Sequence, residues 1–366
     1  MPFDRLFTLF FILSLFFISG CVHQKKTIQK FVVSQKAVTG KNTFNSIQAA
    51  IDAIPENSET PYRIFVRTGQ YYEKVTLKKP NVELIGEGKN KTRIYFDAYA
   101  GQTYANGKTW GTPGSATLTI HATNIRIENI TIENSFDFLT NDVLANEDPK
   151  RVANAQAVAL FLESPSDKVL VRNVNLLGYQ DTLFVNSGRS WFDNTLIAGN
   201  VDFIFGNGNA LFTNSEIKTL ARGKLNFPYG YLVAPSTKLS QQYGLTFINC
   251  RLTRDSSVPD NSVPLGRPWH PTTQFSDGRY ADPNAIGKAV FINSWMDKHI
   301  TIDGWYAMNG TAKNGTKIPF YSEDSRFFEY NSSGPGAQIN YKRPQLNSEE
   351  TKEYTQKKIL GDWKIE

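Results

Sequence analysis

Two aspartates hold the same place in a repeated pattern. Asp181 lies eight residues after Asn173, and Asp202 lies eight residues after Asn194. Apolar runs follow both, Thr182-Leu183-Phe184-Val185 in one case and Phe203-Ile204-Phe205 in the other. Two carboxyl groups held close in such low-dielectric surroundings cannot both ionise without cost. Their proton affinities separate, which leaves one able to donate a proton and the other charged and able to attack. The same spacing also has a purely structural reading, because aspartates in tight turns accept hydrogen bonds from backbone amides or ligate calcium. Spacing alone leaves both readings open.

What would bring the two together is a repeat. An asparagine followed by a short strand recurs at Asn129, Asn173, Asn194, Asn214, Asn249 and Asn293, at separations of 44, 21, 20, 35 and 44 residues. Most intervals are one or two multiples of about 21 residues, and the 35 is one coil carrying an inserted loop, as in a parallel β-solenoid whose stacked coils bury their inward side chains. The Leu-x-x-Leu-x-Leu spacing of leucine-rich repeats is absent, and the repeat favours a solenoid over a β-sandwich. Equivalent positions on stacked coils sit about 4.8 Å apart, so Asp181 and Asp202 are expected as neighbours on one face. Open solenoid ends expose strand edges and need covers. The run 45–54, apolar at helical spacing and stopped by Pro55, predicts a short N-terminal capping helix, and the run 347–360 before Gly361 predicts a C-terminal one.

Composition sets the outer bounds. With 40% hydrophobic residues the chain can bury a large core, and a net charge of +6 spread along it favours anionic partners only weakly. No dense Lys/Arg run interleaved with aromatics appears, so nucleic acid is not expected as a partner. His23, His121, His270 and His299 have no metal-ligand spacing, and GNGN at 206–209 has neither the helix nor the Lys-Ser/Thr of a phosphate loop. No metal or organic cofactor is expected.

The first twenty residues, with Arg5 ahead of an apolar stretch at 6–18, predict a signal peptide, too short to span a bilayer. Ile18-Ser19-Gly20-Cys21 resembles the bacterial lipobox, which implies lipidation at Cys21. Val22 lacks the aspartate that retains lipoproteins at the inner membrane, so an exported outer-membrane lipoprotein is expected, the alternative being an ordinary cleaved signal peptide and a periplasmic or secreted protein. Residues 21–36, polar and Lys/Gln-rich, predict a tether, and 37–366 a single, monomeric domain. Cys250 is then the one remaining thiol, and no intrachain disulfide is expected.

The motifs GQYYE (69–73), QAVAL (156–160), GYQDTLF (178–184), NVDFIFGNG (200–208) and LGRPW (265–269) together resemble the pectin methylesterase family. WHPTTQFSDGRYADPNA (269–285) and EDSRFFEY (323–330) are similar to its bacterial branch. The resemblance covers about residues 40–365. It implies an all-β, right-handed parallel β-helix that removes methyl groups from esterified homogalacturonan, with pectin or its oligomers as partner. On these motifs Asp202 looks like the family nucleophile, Asp181 like its acid/base, and Gln156 and Gln180 like the amides that hold the oxyanion. Arg267 resembles the arginine that hydrogen-bonds the nucleophile. Trp269 is similar to the sugar-stacking aromatic, with Phe184 and Phe205 lining the cleft and Thr112, Val201, Thr272 and Met308 as further binding candidates.

At Asn194 and Ser215 the chain departs from the resemblance, which implies a cysteine pair there. Three rivals remain at this level. One is a β-helix glycosidase, which also uses two carboxylates but whose polygalacturonase motifs are missing. The others are a related esterase or thioesterase acting on short oligomers or on another ester, and a non-catalytic carbohydrate-binding β-helix.

Overall fold

The computed structural model describes residues 27–36, 40–56, 58–224 and 226–364; the expected signal peptide and Cys21 lie outside them. Short strands alternate buried and half-buried positions, as in Tyr62–Val66 and Val82–Gly86, so each coil turns one side of every strand inward. The coils stack into three parallel sheets of eleven, eight and six strands, each strand hydrogen-bonded to the equivalent one in the neighbouring coils. The chain is a right-handed parallel β-helix, as its repeat leads one to expect.

The repeat asparagines are the corners between the eleven- and eight-stranded sheets. Asn129, Asn173, Asn194, Asn214, Asn249 and Asn293 all have φ between 50° and 56°. Left-handed backbone costs most L-residues roughly 1–2 kcal/mol, and asparagine is among the few that tolerate it. That steric rule is why the repeat is legible.

Between the sheets one inward column runs through Ile64, Leu84, Ile127, Val171, Phe192, Phe212, Phe247 and Phe291. Its four phenylalanines stack at centroid distances of 4.8, 4.4 and 4.5 Å. The next position is Glu329. Its fully buried carboxylate accepts from Arg343 Nε and Nη2, both at 2.7 Å, because a buried charge needs a partner.

The N-terminal cover is the helix Ile47–Asp52, capped by the Ser46 hydroxyl and burying Ile47, Ala50 and Ile51. Gln48 mimics a missing strand: its Oε1 accepts from Thr76 N at 2.8 Å and its Nε2 donates to Thr76 O at 3.2 Å. At the other terminus the expected single helix is two, Ser348–Thr351 and Gln356–Leu360, because the Thr355 hydroxyl accepts from Lys358 N and starts the second afresh. They lie along the flank of the eleven-stranded sheet, where Tyr354, Ile359 and Leu360 pack on Leu211, Val290 and Ile292.

The expected boundary at residue 37 is corrected by the structure. Gln29–Val33 is already a strand of the eleven-stranded sheet, paired in register with Tyr62–Val66. Its inward Phe31 and Val33 are buried, while the exposed Gln29 and Lys30 give the segment the composition of a linker. A tether can therefore extend no further than about residue 28.

Candidate active site

The six-stranded sheet positions the site. Leu160 pairs with Leu183 and Leu183 with Ile204, so QAVAL, GYQDTLF and NVDFIFG lie on three consecutive coils. Asp181 and Asp202 both stand two residues ahead of these partners and are neighbours by register. Both occupy left-handed backbone, with φ of 64° and 48°. Asp181 N donates to Val201 O at 3.1 Å, which locks the two turns together. Gly199 lets them approach, since a β-carbon there would fall 2.3 Å from Phe203 Cβ.

The two carboxyls are buried to a similar degree, at 8% and 7% exposure, but differ in partners. Arg267 donates to both oxygens of Asp202, Nε to Oδ1 at 2.9 Å and Nη2 to Oδ2 at 2.6 Å. Such a fork favours the charged form of a carboxylate. Burial raises Asp181 well above the ordinary aspartate range, the neighbouring charge of Asp202 raises it further, and Arg267 opposes both only in part. Burial also works against the charge of Arg267, yet Asp202 outweighs it and the guanidinium stays cationic. One coil thus presents a carboxyl pushed toward its protonated form and the next a carboxyl forked by a guanidinium.

LGRPW delivers Arg267 by running beside the last strand of the sheet, Tyr231–Pro235. Arg267 N donates to Val233 O at 3.0 Å and Trp269 N to Pro235 O at 3.1 Å. Gly266 is required there because a β-carbon would lie 2.4 Å from Val233 Cγ2. On the outer face of the sheet Phe161, Phe184 and Phe205 stack at 4.5 and 4.2 Å. Trp269 stands edge-on to Phe184 and Phe205, at 6.0 and 5.5 Å.

A cleft of about 450 Å³ collects these groups. It is lined by Asp181, Asp202, Gln156, Gln180 and Arg267, together with Trp269, Phe184, Phe205, Thr112 and Met308. Two of the residues expected to bind lie outside its lining. Val201 is a strand residue bridged to Gln180 and Tyr231, and Thr272 is exposed at the start of an antiparallel hairpin. Pro113 and Ala234 line the cleft, and Tyr231 stacks on Arg267 with its ring centroid 3.8 Å from Cζ; none of the three was expected. The signal for Tyr231 was blurred by the inserted loop in the 35-residue interval, which hides the coil phase. Among the described residues no group of three or more His, Cys, Asp or Glu could hold a metal.

Where the cysteine pair is missing, Ser215 is buried and its hydroxyl accepts from Thr195 N at 3.1 Å and donates to Thr213 O at 2.8 Å. Hydrogen bonds tie the two coils there. Cys250 lies nearby, and burial pushes its thiol up to about 12.

A family model described as pectinesterase matches residues 31–362. The chain belongs to the pectinesterase family. It is 47% identical over 351 residues to Pectinesterase A of Dickeya dadantii (strain 3937), spanning 94% of this chain and 95% of that one. The crystal structure of a pectin methylesterase in complex with a hexasaccharide superposes with a TM-score of 0.89 at 47% identity, covering 92% of this chain and 98% of the other. The pectin methylesterase from Yersinia enterocolitica gives 0.85 at 49% identity over 88% and 100%. This pectinesterase is an enzyme, and its activity is the hydrolysis of methyl esters on pectin. The β-helix glycosidase and the non-catalytic binding module are thereby set aside.

Proposed function

We propose that this pectinesterase works through an acyl-enzyme on Asp202. The charged carboxylate attacks the methyl-ester carbonyl of a galacturonate unit, and the oxyanion that forms is held by the side-chain amides of Gln156 and Gln180, neutral donors that suit a developing negative charge. Asp181 gives its proton to the departing methoxy oxygen, methanol leaves, and an anhydride joins Asp202 to the sugar. Water then loses a proton to Asp181, now a carboxylate, and attacks the acyl carbon, which frees Asp202 and the galacturonate. Every step uses groups on the chain and water.

The observation that carries this reading is the unequal environment of two register-matched carboxyls: one forked by Arg267, the other unpaired and pushed toward its protonated form. Asp202→Ala tests it by methanol release from pectin. Near-wild-type release would falsify Asp202 as nucleophile.

Trp269, Phe184 and Phe205 supply the apolar faces on which a pyranose ring stacks, and Thr112 and Met308 extend that surface toward neighbouring sugars. A hexasaccharide bound to a similar enzyme supports an oligogalacturonide lying along this cleft. The chain acts as a monomer, since one copy supplies every group the cleft needs; size-exclusion with light scattering checks this. Export and lipid anchoring at Cys21, with the domain at the outer membrane, follow from the leader residues. Cys21→Ala should move the protein from the detergent phase to the aqueous one.

A further inference from the structure

Tyr231 takes no part in the steps above, yet it is built into the site. It opens the strand Tyr231–Pro235 and pairs with Val201, the residue before Asp202. Its amide donates to Asn200 O at 3.0 Å. It therefore stands one coil beyond Val201, in the column Gln180, Val201, Tyr231 that runs directly beside the two aspartates. The ring is 8% exposed, and its centroid lies 3.8 Å from Arg267 Cζ. Behind it Tyr306 packs at 5.8 Å, and Tyr306 is itself tied to the Arg267 loop through its amide, which donates to Gly266 O at 3.0 Å.

The geometry leaves Arg267 one degree of freedom that the carboxylate does not control. The fork from Nε and Nη2 fixes the guanidinium along the line to Asp202, but two coplanar hydrogen bonds resist rotation about that line only weakly. A ring against one face of the guanidinium blocks that rotation. Arg–aromatic contacts strengthen when they are desolvated, and this one is buried.

We propose that Tyr231 is a positioning residue for the esterase reaction: its ring holds the plane of the Arg267 guanidinium so that both fork hydrogen bonds reach Asp202 and keep its carboxylate aimed. The working part is the ring face and not the hydroxyl. This inference rests on Asp202 as the attacking group. The Asp202→Ala assay tests that reading independently of anything done at Tyr231.

The test compares Tyr231→Phe, Tyr231→Leu and a series with fluorinated phenylalanines at 231, measured by methanol release across pH. Tyr231→Phe should keep kcat within about twofold. Tyr231→Leu should lower kcat by about tenfold, in line with the loss of one buried cation–π contact. KM should change little, because the ring touches the guanidinium and not the sugar, and the phenylalanine variant should restore the rate that the leucine variant loses. Successive fluorines drain the ring face at nearly constant shape, so kcat should fall step by step. This series decides the matter if the leucine variant does not fold. A flat fluorine series overturns the proposal, as does a leucine variant whose loss appears in KM and not in kcat, or one that keeps the wild-type rate.

Discussion

At Asn173 and Asn194 the chain turns with φ of 52° and 51°, and eight residues later, at Asp181 and Asp202, it turns with φ of 64° and 48°. The two corners of each coil thus use one backbone device and differ in the side chain it presents. At the first corner Asn173 Nδ2 donates to Asn129 Oδ1 at 2.6 Å, and the pattern recurs from Asn331 to Asn293 at 2.8 Å. An amide carries both a donor and an acceptor, so identical side chains on stacked coils satisfy one another. A carboxylate only accepts, so identical side chains repel. Among the described coils the second corner accordingly holds aspartate on two, with Val158 before them and, after them, a shift of register where Val201 pairs with Tyr231. The repulsion is relieved unequally, by a guanidinium at one and a proton at the other. Structural and chemical ladders are here separated by a single atom type.

Making the second corner resemble the first is the sharpest way to break this comparison. Asp202→Asn keeps a residue that accepts left-handed backbone, so the fold should persist while methanol release falls by about 10⁴-fold or more, as for loss of a covalent nucleophile. Asp181→Asn should cost about 10²–10⁴-fold, the range for a general acid–base.

The asparagine at 181 should also raise stability, and the sign is specific. The folded protein holds the Asp181 proton above the pH at which the unfolded chain releases it, so wild type loses stability as pH rises from about 4 through the folded value. The gain in Tm of Asp181→Asn should therefore grow between pH 4 and pH 7 and vanish below. By the same shift, the wild-type rate should decline on the alkaline side as Asp181 gives up its proton.

Arg267→Lys keeps the charge and loses the fork, and should lower kcat by about 10- to 100-fold, measured by methanol release. The smallest effect belongs to the other corner. Asn173→Ala should cost roughly 1–2 kcal/mol of stability, read by chemical denaturation, with kcat on pectin unchanged, whereas Asn173→Gly should cost much less.

The corner asparagines also explain how much was legible in advance. Left-handed backbone is a strong filter on residue type, so Asn129 through Asn293 announced the coil period, and the period placed Asp181 beside Asp202. Most of the cleft followed from motifs on neighbouring coils. Less was visible where a residue's role depends on chain brought in from elsewhere. Tyr231 follows an inserted loop that breaks the phase, and Ala234 is one small residue in an apolar strand. Val201 and Thr272 were placed by motif position, and neither their strand pairing nor their exposure could be read that way. The strand Gln29–Val33 was missed because it opens on two exposed polar residues, Gln29 and Lys30, that continue the composition of the segment before it, and the C-terminal helix was read as continuous because Thr355 acts through its hydroxyl and not through any break in composition.

Glu329 ends the phenylalanine column, and the stretch after Arg343 closes the edge beside it: Glu329 N donates to Pro344 O at 2.9 Å and Leu346 N to Glu329 O at 2.8 Å. A stack of near-identical rungs has no intrinsic reason to stop at the end of one molecule, and a bare apolar rung there would welcome the first coil of another. Filament growth from this end would have to break a buried ion pair, at about 3–5 kcal/mol when one partner is lost, and displace strand pairing already made. A single carboxylate set among aromatic rings, with the arginine that answers it, sets the length of the particle.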